Sequence, residues 1–261
     1  MNCNNSIIKP VISAYIITKN EENHIGRALE SVLWMDELVV LDSGSTDDTV
    51  KIAEKYGTKV KFNEFKNFIE QKNKAMEFCN GEWLFNLDAD EEVSPELRKS
   101  IEETVYSNTK DKSITIYNIS RKTYYMGRWM KHCGWYPEFR ARLSRNGHAQ
   151  WTGEAIHEKL EGNGNSDFIS GDLLHRPYDN LGEHLKTIYT YSEIWAEREA
   201  SRGRKASIPG IFFRPVLKFV KMYILKAGFM DFGPGFFASM MGAWYIFMKY
   251  SRLYELSRNF E

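Results

Sequence analysis

Cysteine is scarce in this chain: three among 261 residues, Cys3, Cys79 and Cys133, with no C-x-x-C pair. That spacing excludes a disulfide framework and a cysteine-built zinc centre, and it suits a reducing compartment. An excess of charge of either sign is missing too. Lysine plus arginine and aspartate plus glutamate each total 35, so the formal net charge is zero. Composition therefore gives no support to nucleic-acid binding, while a local basic patch stays compatible with it. No apolar run reaches the roughly twenty residues that span a bilayer. At the N-terminus there is no basic lead and no small-residue cleavage site. The run Val11 to Ile17 passes straight into Thr18-Lys19-Asn20-Glu21 and reads as a buried strand, not a signal peptide. No internal repeat or low-complexity tract stands out.

What is present, at 43% hydrophobic and 27% charged residues, is an ordinary globular mixture long enough for one α/β core and an appendage. Strand and helix patterns alternate through the first hundred residues. Val11–Thr18 reads as a strand, and Ile25, Leu29, Val32 and Leu33 share a helical face. Glu37–Leu41 reads as a second strand. Ser45 with Asp48 has capping-box spacing for a helix to Tyr56, stopped by Gly57. Val60–Phe62 is a short strand, Phe68–Cys79 a helix, and Trp83–Leu87 a buried strand. Ser94-Pro95 reads as an N-cap with proline at the first helical position. Such alternation predicts a mostly parallel sheet flanked by helices, with ligands bound beyond the carboxyl ends of the strands. Three polar clusters fall at those ends: Thr18–Glu22, Asp42–Asp48 and Asp88–Glu92. From Ile114 to Tyr178 the pattern becomes β-rich, with many aromatics, arginines and glycines, and from Tyr178 to Arg202 it reads as a charged helix.

Asp88-Ala89-Asp90-Glu91 directly follows a buried strand. Neighbouring carboxylates repel unless a cation lies among them, and hard oxygen ligands suit Mg²⁺ or Mn²⁺ held partly by substrate phosphates. The plain alternative is a solvated loop capping the next helix. In Asp42-Ser43-Gly44-Ser45-Thr46-Asp47-Asp48, the Asp42 carboxylate is placed to accept hydrogen bonds from a base or ribose, and Gly44 permits close backbone approach. Turn chemistry and a helix cap explain the same residues. Glu21, at the first strand end, is a further candidate for a nucleoside contact.

In this order and context, Ile16-Ile17-Thr18-Lys19-Asn20-Glu21, Val40 to Asp47 and Leu87-Asp88-Ala89-Asp90-Glu91 resemble glycosyltransferase family 2, whose fold is called GT-A. Further segments are similar to bacterial lipopolysaccharide-core β-glucosyltransferases within it: Gln71-Lys72-Asn73-Lys74-Ala75, Tyr125 to Trp129, Gly134 to Pro137, Arg142-Leu143 and Ile156-His157-Glu158. The resemblance covers about the first three-fifths of the chain, to near Leu160. It implies that Thr18, Asn20, Glu21 and Asp42 surround the nucleoside, that Asp90 binds the metal of the diphosphate, and that Asp88 lies nearer the ribose and donor sugar. Gly44, Asp47, Lys72, Asn73 and Arg142 are carried over as donor contacts. It also implies a UDP-sugar donor, glucose above other hexoses, and single displacement with inversion.

An inverting transferase needs a carboxylate to take the acceptor hydroxyl proton. The commoner Glu-Asp pair of the family is absent. Glu158 is the preferred base, since His157-Glu158 is similar to the subgroup motif, and Glu154 is the alternative. A simple ion pair of Glu158 with Lys159 or Arg142 is its bland reading. Some GT-A enzymes use a late histidine as a metal ligand, which makes His175, or else His157, a candidate beside Asp88 and Asp90; a hydrogen-bonded structural histidine is the alternative. Arg140 and Arg142 share a strand face and, with Arg145, suit a diphosphate or an anionic acceptor.

These readings predict a GT-A catalytic domain over 1–178, with a donor half at 11–110 and an acceptor half at 111–178. A helical region follows over 179–261. In that region phenylalanines and other apolar residues interleave with Arg214, Lys218, Lys221 and Lys226, a composition that suits an amphipathic segment lying in a membrane surface. A helical hairpin packed on the catalytic domain or on a second subunit is the alternative. The expected setting is the inner face of the cytoplasmic membrane, with a lipid-linked or lipopolysaccharide-core acceptor. Two other functions stay open: the same fold glycosylating a peptide side chain, and a membrane-attached nucleotide-sugar-binding protein without turnover. The intact Asp88/Asp90 pair weighs against the latter. Oligomeric state is not legible.

Overall fold

A computed structural model describes residues 11–106, 113–154 and 157–258. The first stretch alternates as the periodicity predicts. It runs β1 (Ile12–Thr18), α1 (Ile25–Val32), β2 (Glu37–Asp42), α2 (Thr49–Lys55), β3 (Lys59–Phe62), α3 (Phe68–Glu77) and β4 (Trp83–Asn86). β2 lies between β1 and β3, and β4 on the other side of β1, all parallel. Successive side chains of β1 point to opposite faces of the sheet. Ile12, Ala14 and Ile16 pack with Leu29 and Val32 of α1, while Tyr15 packs with Ala75 of α3. Helices thus cover both faces, which is why these strands read as continuous apolar runs.

Beyond β4 come β5 (Glu91–Val93), α4 (Pro95–Tyr106), β6 (Ile114–Tyr125), β7 (Arg128–Trp129), β8 (Glu138–Arg145), β9 (Ala149–Glu154), β10 (His157–Gly162) and β11 (Asn165–His175). β8 joins β4 antiparallel, and the sheet continues through β6 and β11 to β5. β5 is too short to show a period, and it pairs antiparallel with β11. β9 and β10 form a separate hairpin. The architecture is α/β with a parallel central sheet, followed by long helices, as expected.

One local expectation is corrected. The helix expected to be capped at Ser45 begins only at Thr49, with Asp48 at its N-cap. The reason lies in Asp42, whose carboxylate accepts the Ser45 N–H at 2.9 Å and the Ser45 hydroxyl. The loop is folded back on that carboxylate before the helix can start. Ser94 caps α4 as predicted, accepting the Leu97 N–H at 3.2 Å ahead of Pro95.

The chain divides into two compact units. One runs through Arg121 and takes in 139–175; the other combines 122–138 with 176–261. The second holds α5 (Leu181–Ser201), α6 (Ile208–Val220), a π turn (Lys221–Leu225), a 3-10 turn (Gly228–Asp231) and α7 (Phe232–Arg258). Its small core is Tyr125, Met130, Cys133, Met222 and Ala238. No described helix is long and apolar enough to cross a membrane.

Candidate active site

The acidic turn leaves β4 directly. Leu87 N–H still bonds Tyr15 O in the sheet at 3.2 Å, and Glu91 N–H closes on Asp88 O at 3.0 Å. The two aspartates of this turn have different partners. Asp88 takes the Arg142 guanidinium at 2.6 Å on one oxygen and has the Lys72 ammonium 3.2 Å from the other. Burial pushes its carboxyl up, but Arg142 and Lys72 outweigh that and hold it well below the usual carboxylate range. Asp90 pairs with His175, whose Nε2 lies 3.1 Å from Oδ2. Burial again raises the carboxyl and His175 brings it below its ordinary value. His175 reaches the turn because β11 pairs with β5, placing it opposite Glu91. Its other ring nitrogen, Nδ1, is buried with no hydrogen-bond partner among the described residues.

Arg142, only 3% exposed on β8, ties the site together. It donates to Asn86 Oδ1, to Asp88 and, at 2.7 Å, to Glu91, itself fully buried. Arg121 of β6 lies 3.5 Å from the same Glu91. Lys72, also 3% exposed, lies 3.2 Å from both Asp88 and Glu158 and 4.4 Å from the Trp151 ring centre. Two carboxylates and a π face thus compensate the burial of its ammonium group. Lys72, Asp88, Arg140, Arg142, Trp151 and Glu158 are among the walls of one cavity of about 410 Å³.

Asn73 acts differently: its amide accepts from Trp151 N–H at 2.8 Å and donates to Trp151 O at 2.9 Å. It anchors β9, and both of its polar atoms are used there. Trp151 Nε1 in turn donates to the Tyr15 hydroxyl at 2.8 Å. Arg145 sits away from the cluster, pairing with Glu82 at 2.7 Å and stacking on Trp83. The side chains of Glu154 and His157 lie outside the described residues.

The ends of β1 and β2 are adjacent, with Thr18 opposite Asp42 in the register. Their loops are stitched together. Asn20, at φ 58°, donates its N–H to Ser45 Oγ at 2.9 Å and accepts from Thr46 N–H at 2.8 Å. Glu21 N–H reaches Thr49 Oγ1 at 2.8 Å, and Asp47 accepts from Glu22 N–H at 3.2 Å. Gly44, at φ +87°, lets its N–H turn back onto Asp42 at 2.8 Å, a conformation other residues seldom adopt. Thr18 Oγ1 is buried at this strand end with no hydrogen-bond partner among the described residues.

The structure therefore gathers Lys72, Asp88, Arg142 and Glu158 at one cavity, Asp90 with His175, and Thr18, Asn20, Asp42, Gly44 and Asp47 at two neighbouring strand ends. Asn86, Arg121 and Trp151 belong to the first group without a sequence motif to announce them. The nearest signal is a lone polar residue, Asn86, in an otherwise apolar strand.

The carboxylate-rich turn thus stands at the end of a parallel strand, cross-linked to cations around a cavity, where sheets of this kind bind their ligands. The chain belongs to glycosyltransferase family 2, whose model, described as "Glycosyl transferase family 2", matches residues 13–159. It is 29% identical to the lipopolysaccharide core biosynthesis glycosyltransferase LpsC of Rhizobium meliloti, over 95% of this chain and 94% of that one. It is 31% identical to an uncharacterised glycosyltransferase of Rickettsia conorii, over 97% and 93%. Among solved structures it is similar to glucosyl-3-phosphoglycerate synthase from Mycobacterium tuberculosis, in complex with Mn²⁺, UDP and glucosyl-3-phosphoglycerate. There the TM-score is 0.36 at 24% identity, over 45% of each chain.

Proposed function

We propose that this glycosyltransferase is inverting and divalent-metal-dependent. It moves a hexose, glucose above others, from a UDP-sugar to a lipopolysaccharide-core or lipid-linked glycan at the inner face of the cytoplasmic membrane. The observation that carries the reading is the division between the two aspartates of one turn. Asp88 is held by Arg142 and Lys72, while Asp90 faces His175.

Asp90 and His175 suit Mg²⁺ or Mn²⁺ as a pair of donors. Among the described residues no group of three or more His, Cys, Asp or Glu could hold a metal. An ion here would complete its shell with substrate phosphates and water, the usual habit of Mg²⁺. When bound, it would neutralise charge developing on the departing diphosphate.

The chain's own groups supply the rest. Glu158 lines the cavity that Asp88 also lines, so its carboxylate is available to take the acceptor hydroxyl proton as the new bond forms. Lys72 fixes that carboxylate relative to Asp88. Trp151 covers the lysine and keeps water from it. Thr18, whose hydroxyl has no partner among the described residues, and the stitched loops at Asn20 and Asp42 offer a rigid seat for the nucleoside. LpsC is named for lipopolysaccharide core biosynthesis, which favours an acceptor of that kind here.

The test is calorimetric binding of a panel of nucleotide-sugars in Mn²⁺, Mg²⁺ or EDTA, for the wild type and Asp90→Ala. One donor should bind with metal, and chelation or the substitution should weaken it about a hundredfold. A chain that binds no donor in any condition overturns the proposal.

A further inference from the structure

Helix α6 has no buried residue at all. Thirteen residues long, it carries Ile208, Phe212, Phe213, Val216, Leu217 and Val220 exposed, with Phe212 and Leu217 each at 66%. Spacings of four and of one put these on one broad face, turned away from the rest of the helix. Past the helix, Ile224, Leu225, Phe229 and Phe232 are exposed as well, Leu225 at 74%. Monomeric proteins seldom leave a broad apolar helix face bare, so the face of α6 calls for a partner.

Charge says which partner. The whole chain is neutral, yet from Arg202 to Tyr254 there are nine lysines and arginines and a single carboxylate, Asp231. Asp231 is fully buried and points inward, accepting from His132 N–H at 2.7 Å and Lys131 N–H at 3.0 Å. No acid in this span faces outward. Arg214, Lys218 and Lys221 recur at helical spacing on the flank of the apolar face. Lys218 is half-buried, no ion pair with a carboxylate forms at it among the described residues, and burial together with Lys221 lowers its pKa. A cation desolvated in this way is ready for an anion from outside.

We infer that α6 and the turns after it lie in the surface of a bilayer containing anionic phospholipid, apolar face among the acyl chains and basic flank among the phosphates. The inference builds on the proposed membrane setting and names its surface and its lipid. A helix with phenylalanine and leucine on one side and lysine and arginine beside it sits at the headgroup boundary without crossing. Anionic lipid raises its affinity through each nearby cation.

The test is sedimentation of the full chain with vesicles of phosphatidylcholine alone, or of phosphatidylcholine mixed with phosphatidylglycerol. The wild type should partition about tenfold more strongly to the mixed vesicles. The double substitution Phe212→Asp, Leu217→Asp should cut that binding at least about tenfold. Both positions are exposed, so the variant should keep its fold, checked by circular dichroism. Asp90→Ala should partition like the wild type, so that failure of the catalytic reading leaves this result standing. Undiminished binding by a folded double variant overturns the inference, as does a wild type that ignores both vesicles. A wild-type dimer that the double substitution converts to monomer, without vesicle binding, would assign the face to a second copy of the chain.

Discussion

The two units use the same residue types in opposite places. In the first, charge is inside: Lys72, Glu91 and Arg142 are almost entirely buried, and apolar side chains such as Leu29 and Phe85 are wholly hidden around the sheet. In the second, apolar surface is outside, on α6 and the turns after it, and the most deeply buried carboxylate, Asp231, is held by the backbone of the 131–132 segment. Exposed apolar residues one by one mean little, and so do surface charges. A buried charge cluster and a bare apolar face are the informative exceptions, and each unit has one. The buried cluster fixes a geometry, and the bare face awaits a covering.

The largest effect should come from breaking the cluster. Arg142→Met keeps most of the side chain's volume but removes the cation shared by Asp88 and Glu91. Removing one partner of a buried ion pair leaves uncompensated charge, at a cost of about 3–5 kcal/mol. Urea unfolding should show that loss, and donor binding should fall with it. A loss under about 1 kcal/mol would mean that the cluster is wetter than its burial indicates, and the contrast between the units would weaken.

Acid should separate the units next. In the second unit His184 is buried, stacked on Tyr178 at 4.2 Å and 2.9 Å from the Tyr125 hydroxyl. Burial lowers its pKa to about 4 from the ordinary 6.5. The unfolded chain therefore takes up this proton first as pH falls. The stability His184 contributes is complete above pH 6.5 and drains away as pH falls toward 4, at most roughly 3 kcal/mol. In the first unit Asp88 and Asp90 are depressed carboxylates, so their contribution begins to be lost only below the ordinary aspartate value of 3.8. Stability measured from pH 7 to pH 4.5 should fall, and His184→Gln should flatten that slope. A slope unchanged by His184→Gln would place the acid-sensitive group elsewhere.

Much of this was readable in the chain, for reasons that differ by residue. The alternation of strand and helix was legible because β1, β2 and β4 are buried on both faces and read as plain apolar runs. Asp88 and Asp90 were legible because a strand end is where such a sheet presents ligands. The stitching of Asn20 to Thr46, and of Asp42 to Ser45, was not, since nothing local says that one loop's carboxylate will capture another residue's cap. That error moved the start of α2. Nor did the sequence announce that Lys72 would lie between Asp88 and Glu158, 86 residues apart from the latter. Such contacts are set by the return of β8 to β4 and by the docking of the β9–β10 hairpin on α3, and short-range spacing carries no trace of either. His175 was readable only through the family, because β5, which brings it to Asp90, is three residues long.

The smallest expected effect makes the sharpest comparison. Phe85→Ala in the first unit removes a wholly buried ring, and truncations of that kind cost about 3–5 kcal/mol. Phe212→Ala makes the same chemical change on α6, where the ring is already 66% in water. Little transfer free energy is at stake there and no cavity is left, so the unfolding free energy should shift by under about 0.5 kcal/mol. Vesicle binding should nevertheless weaken, because the ring's apolar area counts when the bilayer takes it up. Urea titrations of the detergent-free chain decide the point. If Phe212→Ala cost more than about 1 kcal/mol in the absence of lipid, the face would already be packed against protein. A concentration-dependent midpoint would then identify that protein as a second copy, and the apolar surface would belong to an oligomer instead of a membrane.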